Sequence, residues 1–74
     1  MIVKVNAGDL IVVTGLVYSD VELNSSLSCE IASPQMAIVL RKQEKPTRQY
    51  FILVSGVCGW VSAAQVSELL SSAQ

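Results

Sequence analysis

Short apolar runs alternate with polar, glycine- or proline-containing links along most of the chain, which is the pattern of an all-β domain. The runs are rich in β-branched and aromatic residues, which favour strands. They predict strands at residues 9–14, 35–42, 49–55, 58–62 and 65–69. Residues 2–5 form a further candidate edge strand.

The links between these runs predict the topology. The polar, proline-containing link KQEKPTR (residues 42–48) predicts an antiparallel hairpin, and SGVCG (residues 55–59) predicts a tight turn. Residues 62–64 are too few for an α-helix and suit one 3₁₀ turn. The C-terminal run could also be helical, but its alternation favours a strand to residue 69 followed by a frayed tail.

Residues 18–34 form the longest link, which is serine-rich and lacks a clean period. An irregular link of this length in a small domain is more often an ordered excursion than disorder. We therefore expect it to fold back on the barrel through its apolar residues. These are Val21, Leu23, Leu27 and Ile31.

Three of the predicted strands, with the cores LIVV, AIVL and YFILV, are apolar at every position. A strand with one face in water should alternate apolar and polar residues. The outer face must therefore be covered by the long link or by a neighbouring chain. This pattern favours a module that assembles with itself or binds another protein.

Composition supports the same interpretation. The 74 residues make one domain, residues 1–74, with 51% apolar and 15% charged residues and a mean hydropathy of +0.51. A domain this small has much surface, and few charges are available to cover it. No apolar run approaches the roughly 18 to 20 residues needed to cross a bilayer, so no membrane is expected as a partner.

The N-terminal residues and the cysteines predict a compartment. The start MIVKVNAGDL lacks the apolar core of a signal peptide. We therefore expect a cytoplasmic protein, or a virion-associated one if the source is viral. Cys29 and Cys58 could form one disulfide, but two unpaired thiols are the favoured reading in a reducing compartment.

The residues present argue against catalysis. The chain has no histidine, which removes the usual general base and the commonest metal ligand. Neither cysteine has a histidine partner to form a thiolate, and no glycine-rich phosphate loop occurs. The acidic residues are scattered, at Asp9, Asp20, Glu22, Glu30, Glu44 and Glu68. We expect no enzyme activity, no cofactor, no metal and no small-molecule substrate.

Basic residues concentrate on one predicted hairpin, at Arg41, Lys42, Lys45 and Arg48. One interpretation is a tip that contacts phosphate backbones or an acidic partner, with Tyr50 able to stack on a base. The other is a solvated tip whose charges protect the strand ends. The second is favoured, because the cluster is short and the net charge is −1.

Trp60 is the only tryptophan of the chain and stands at a predicted strand start. A lone tryptophan in so small a barrel is either a core residue or a half-exposed binding anchor. Partial burial, with one edge available to a partner, is the expectation here.

The segments GDLIVV (residues 8–13) and GWVSAAQVSEL (residues 59–69) resemble the SH3-like small barrel, in which an early Gly-Asp-x-Ile/Val-x-Val strand and a late Gly-Trp-Val/Phe segment recur. The resemblance implies an all-β barrel of five to six antiparallel strands with a 3₁₀ turn before the last strand. Members that bind proline-rich peptides carry proline, asparagine and tyrosine where this chain has Ser62, Ala64 and Gln65. The resemblance therefore does not imply proline-peptide binding.

The chain is also similar to stand-alone SH3-like barrels of phage or marine metagenomic origin, which suggests a phage-related accessory role. Together these observations predict a non-enzymatic protein-interaction or structural module that self-associates. The alternative is a nucleic-acid-binding barrel that uses the basic hairpin, residues 41–48. Of the six candidate interaction residues, Trp60 belongs to the first function, and Tyr50, Arg41, Lys42, Lys45 and Arg48 belong to the second.

Overall fold

The computed structural model describes residues 4–19, 27–45 and 47–71. These residues form five strands and one 3₁₀ turn. The strands are β1 (Leu10–Tyr18), β2 (Leu27–Gln43), β3 (Gln49–Val54), β4 (Val57–Ser62) and β5 (Val66–Ser71), and the 3₁₀ turn is Ala63–Gln65. The described part of the chain contains no α-helix.

Four of the strands close into an antiparallel ring. β1 pairs with β2, β2 with β3 and β3 with β4, and the ring closes where Tyr18 at the end of β1 lies opposite Trp60 of β4. β5 adds to the first half of β1, on the side away from β2. This five-stranded barrel, with a 3₁₀ turn before its last strand, is the arrangement expected from the SH3-like resemblance.

The core lies inside the barrel and is built by alternation along the strands. In β1, Ile11, Val13 and Val17 point inward, and the residues between them are half-buried or exposed. β1 thus buries one face of its pleat, as the two-residue period of a strand allows. The buried apolar residues from the other elements are Val5, Ile31, Ala37, Val39, Tyr50, Ile52, Val54, Val61 and Val66.

The turn between β3 and β4 is the tight hairpin that the sequence predicts. Ser55 and Gly56 are its two central residues, with φ of 50° and 77°, and Val54 lies opposite Val57. Two consecutive residues of positive φ are the signature of a type I′ turn, whose twist matches that of the flanking strands. The Ser55 hydroxyl donates a hydrogen bond to Gln35 Oε1, which ties the turn to β2.

A second turn leads into β1. The backbone N–H of Asn6 donates to Asp9 Oδ2 over 2.8 Å, and the N–H of Asp9 donates to the Asn6 carbonyl over 3.1 Å. Gly8 has a φ of 94° and donates to the Val39 carbonyl. The Asp9 carboxylate is thus a buried acceptor within this turn. The turn is joined to β2 by backbone hydrogen bonds, from Gly8 N–H to the Val39 carbonyl and from Val39 N–H to the Asp9 carbonyl.

The prediction of an irregular link over residues 18–34 is wrong for most of its described length. Tyr18 ends β1, and β2 already begins at Leu27, so the hairpin continues through pairs such as Val17 opposite Cys29. Tertiary packing overrides the weak strand propensity of the serine-rich segment, because Val17 and Ile31 are both buried in the barrel. Of the predicted anchors, Ile31 is in the core, Val21 and Leu23 lie outside the described residues, and Leu27 is described only as part of β2.

Pro34 lies within β2, where the pairing with β1 shifts register between Val13 and Gly15. Val13 pairs with Gln35 and Gly15 with Ile31, so the intervening residues of β2 face only Thr14. A proline cannot donate a hydrogen bond to a ladder, and an irregularity of this kind is where a strand accommodates one.

Other boundaries also differ from prediction, and the largest of these differences is in β1, which the sequence predicts at residues 9–14 and which extends from Leu10 to Tyr18. Lys4 and Val5 are not in a strand, and Ile2 and Val3 lie outside the described residues. The 3₁₀ turn, Ala63–Gln65, begins one residue later than predicted because Ser62 is its N-cap with an extended backbone. β5 continues to Ser71, two residues beyond the predicted end at residue 69, because Ser71 still pairs with Leu10.

Candidate functional site

The segment GWVSAAQ closes the barrel through the side chain of Gln65. Gln65 Nε2 donates to the carbonyls of Thr14 and Leu16, at 3.0 and 2.8 Å, and Gln65 Oε1 accepts from the backbone N–H of Ser62 at 2.9 Å. The amide therefore bridges β1 and the end of β4 across the 3₁₀ turn. Ligand-binding members of the resembled family carry tyrosine at this position, but here the side chain is engaged within the barrel.

Gly15 makes this bridge possible. Its φ is +101°, and a Cβ at this position would lie 3.0 Å from Gln65 Nε2. Because Gly15 separates the two carbonyls that Gln65 binds, a side chain there would push the amide away from both.

The outer surface of the β2–β3–β4 sheet carries a row of apolar side chains. Leu10, Ile38, Leu53 and Cys58 lie opposite one another across β1, β2, β3 and β4. Ile38 and Leu53 are 38% and 39% exposed. Directly opposed side chains on one face are close neighbours, so this row is a continuous apolar band.

A second row runs beside the first. Arg41, Phe51, Trp60 and Tyr18 lie opposite one another across β2, β3, β4 and the end of β1. The Phe51 and Trp60 ring centroids are 5.2 Å apart at a tilt of 44°, and the Arg41 guanidinium lies 5.9 Å from the Phe51 centroid. These are favourable aromatic and cation–π distances.

Together the two rows and the exposed side chains beside them form what we call the outer apolar face. Four of the six large hydrophobic residues that the structure describes as exposed lie on it or at its edge on β2 and β3. Its large hydrophobic side chains on β2, β3 and β4 are Met36, Ile38, Leu40, Phe51, Leu53 and Trp60. The only charged residue in the two rows is Arg41, and few charges together with aromatic and apolar side chains are common at the centre of protein interfaces.

Three of the five basic residues gather at one end of the barrel, in a pocket of about 280 Å³. This basic pocket is lined by Lys4, Val5, Lys42, Glu44, Arg48 and Tyr50. Lys4 comes from the segment before β1, whereas Lys42 and Arg48 flank the hairpin turn between β2 and β3. The tertiary fold thus adds the remaining basic residue of the chain to the hairpin cluster.

Hydrogen bonds and ion pairs order the polar groups of the pocket. Lys42 Nζ donates to Asn6 Oδ1 at 2.9 Å and lies 3.2 Å from Glu44 Oε2. Arg48 Nη2 lies 4.0 Å from Glu44 Oε1. The hydrogen bond and charge of Lys42 lower the pKa of Glu44 below its usual 4.5. Burial raises the pKa of Tyr50 above 10.0, although the neighbouring Arg48 acts in the opposite direction.

The predicted interaction residues separate into two surfaces. Trp60 is half-buried on the outer apolar face, with Arg41 in the same row, whereas Lys42 and Arg48 line the basic pocket. Lys45 is exposed at the hairpin turn. The basic residues of the hairpin therefore lie on two different surfaces of the barrel.

The suggestion that Tyr50 stacks on a base does not fit the structure. Tyr50 is 2% exposed and belongs to the core, so its ring face is not accessible to a ligand. The adjacent Phe51 points outward instead. Because QYFILV is apolar at nearly every position, the sequence gives no indication of which face of the strand is buried. Nothing in the sequence indicates that Lys4 lies near the hairpin either.

The two cysteines are both free thiols, with Cys29 half-buried and Cys58 exposed in the first row of the outer apolar face. Within the described ranges, no three histidine, cysteine, aspartate or glutamate residues come close enough together to hold a metal ion.

The chain was compared with protein families, curated proteins and solved structures. No family model, no curated protein and no solved structure matches it. Among the residues that the structure describes, no helix is long and apolar enough to span a membrane.

Proposed function

We propose that this protein is a non-enzymatic interaction module and that a second copy of the chain covers its outer apolar face. The observation that supports this most strongly is the uninterrupted band Leu10–Ile38–Leu53–Cys58 beside the Phe51–Trp60 pair. Water contacts large parts of these side chains in the isolated chain, and removing them from water is favourable by about 25 cal/mol per Å² of apolar surface.

The band is suited to pairing with itself. A two-fold axis between Ile38 and Leu53 would set each of these residues against the other in the second copy, so that apolar side chains face apolar side chains at the centre of the band. The net charge of −1 gives two copies little mutual repulsion. Trp60 and Arg41, side-chain types enriched at binding hot spots, flank the contact.

The experiment is a measurement of solution mass by light scattering at low and high salt. We expect an oligomer at both, because an apolar interface holds or strengthens as salt rises. Leu53→Glu should shift the protein to monomer. Leu16→Glu is the matched control, since Leu16 is also 39% exposed but lies on β1 opposite Glu30, outside the face.

Two outcomes would contradict the proposal. One is a wild-type protein that stays monomeric at the highest concentration measured. The other is equal loss of mass in Leu53→Glu and Leu16→Glu, which would mean that the introduced charge acts through general destabilisation.

A second candidate function is nucleic-acid binding at the basic end of the barrel. The observation that favours it is that Lys4, which is distant from Lys42 and Arg48 in the sequence, lines the same pocket as they do. Fluorescence anisotropy of a labelled oligonucleotide would test it. Affinity should fall steeply as salt rises, because phosphate contacts release counterions. An affinity that salt leaves unchanged would exclude this function.

A cytoplasmic or virion-associated location and a phage-related accessory role complete the proposal. They are supported by the sequence resemblance and by Cys58, an exposed free thiol of the kind that persists in reducing compartments. Identification of the neighbouring genes would test the phage relation.

A further inference from the structure

The basic pocket brings together polar groups from three separate parts of the chain. Lys4 precedes β1, Lys42 is near the end of β2, and Arg48 is just before β3. Tyr50 lines the pocket from the core. The side chain of Lys42 is only 21% exposed, and the neutral Asn6 Oδ1 fixes its ammonium group at 2.9 Å. At least one cation of the pocket is therefore held in place by the fold itself.

The pocket carries more positive than negative charge. Lys4, Lys42 and Arg48 face a single carboxylate among the lining residues, that of Glu44, which leaves an excess of two positive charges. The Asp9 carboxylate is the other acid near this end, but it is buried and accepts the backbone N–H of Asn6. The remaining acids that the structure describes do not line the pocket, since Glu30 is near the start of β2, far along the strand from Lys42, and Glu68 is on β5.

Glu44 holds its position weakly. Its side chain is 56% exposed, and it lies 3.2 Å from Lys42 and 4.0 Å from Arg48. Exposed ion pairs of this kind contribute little, typically about 0 to 1 kcal/mol. A ligand with more charge and more acceptor atoms than one carboxylate would displace it. A phosphate group has both, and the Arg48 guanidinium fork suits its oxygens.

The size of the pocket agrees with such a ligand. At about 280 Å³, it exceeds by several-fold the share of about 30 Å³ that one water molecule occupies in the liquid. A phosphate group fits with room for the group esterified to it. The open side, where Glu44 and Arg48 are exposed, is where that group would leave the pocket.

We propose that the basic pocket is a binding site for a phosphate group, and that the Glu44 carboxylate occupies the ligand position until phosphate displaces it. This site is separate from the outer apolar face and does not depend on self-association. It would supply the contact that the second candidate function requires. The phosphate group belongs either to a nucleic-acid backbone or to a free phosphate, and both present the same oxygens to Lys4, Lys42 and Arg48.

The first test is an NMR titration of the ¹⁵N-labelled full chain with inorganic phosphate at constant ionic strength. We expect saturable shifts confined to the pocket residues. Glu44→Gln should raise the affinity about tenfold, since it removes a competing charge within contact distance of the cations. Glu68→Gln changes the net charge equally but lies on β5, and it should change the affinity less than twofold.

The second test removes cations. Lys4→Gln and Arg48→Gln should each lower the affinity about tenfold. Arg41→Gln removes the same charge as Arg48→Gln from the side of the hairpin that faces Phe51, and it should have little effect. Lys4 is exposed and outside the strands, so Lys4→Gln keeps the test valid if Arg48→Gln fails to fold.

A titration with a short oligothymidylate distinguishes the two sources. Binding of the oligonucleotide alone, weakened by Lys4→Gln and strengthened by Glu44→Gln, would assign the site to polymer phosphates. Binding of inorganic phosphate alone would assign it to free phosphate and exclude the second candidate function while keeping the pocket. Binding of neither ligand, or equal effects of Glu44→Gln and Glu68→Gln, would overturn the proposal.

Discussion

Gln65 is the residue whose removal should most clearly test how this barrel closes. Its amide makes three hydrogen bonds, to the Thr14 and Leu16 carbonyls and from the Ser62 N–H. Gln65→Ala leaves these three backbone groups without that partner, while the strands themselves are unchanged. The effect should therefore be a loss of stability with the fold retained.

The expected magnitude follows from the surroundings of these bonds. An intramolecular hydrogen bond contributes about 0.5 to 1.5 kcal/mol net, and here one bond is exposed and two are partly buried. We expect Gln65→Ala to lower the free energy of unfolding by about 2 kcal/mol. For a domain of this length the total is roughly 4 to 11 kcal/mol. The melting temperature should fall by about 10 °C.

Urea unfolding followed by Trp60 fluorescence would measure the loss. Gln35→Ala is the control, because the exposed Gln35 accepts one hydrogen bond from Ser55 and should cost less than about 0.5 kcal/mol. Equal losses in the two variants would refute the bridging role of Gln65.

Gln65→Glu sharpens the test, because a carboxylate cannot donate to the two β1 carbonyls. At neutral pH this variant should be at least as unstable as Gln65→Ala. The protonated acid can donate, so folding raises the pKa of the introduced carboxyl. Stability should therefore be regained as the pH falls through this raised pKa, and the gain should be complete below about 4.3, the ordinary glutamate value. A variant that acid does not stabilise relative to Gln65→Ala would contradict the donor geometry.

Other substitutions probe the turns, the core and the pH dependence. Gly15→Ala should lower the free energy of unfolding, measured in urea, by about 1 to 3 kcal/mol, and by more than Gly56→Ala does. Both glycines have positive φ, but only a Cβ at Gly15 would meet the Gln65 amide. Equal losses in the two variants would exclude that contact. Burial raises the pKa of Tyr50 above 10.0, so the free energy of unfolding should be unaffected by this group below pH 10 and should decrease as the pH rises further. Thermal melts of Tyr50→Phe should show a smaller alkaline decrease in melting temperature than those of the unchanged protein. Asp9→Ala should lower the free energy of unfolding by about 1 to 3 kcal/mol, since it removes a buried acceptor, and a loss below 0.5 kcal/mol in urea unfolding would show that the acceptor is dispensable.

The strands and turns with local sequence signals could be predicted from the chain alone. Residues 49–54 and 57–62 form a hairpin because a β-rich run, Ser55–Gly56 and a second run are adjacent in the chain. The closing segment of residues 59–69 and the absence of histidine could also be recognised from the sequence alone. Periodicity and turn chemistry act over a few residues, so a single chain reveals them.

Contacts between side chains distant in sequence were set by the tertiary fold. Gln65 finds its carbonyl partners about fifty residues earlier, and Lys4 joins the hairpin cations across a similar separation. A uniformly apolar strand hides its buried face, because a shift of one residue exchanges the two sides. Burial of Tyr50 and exposure of Phe51 were therefore set by pairing with neighbouring strands. For the same reason, the strand content of residues 27–34 came from contacts with β1, since their own composition favours a loop.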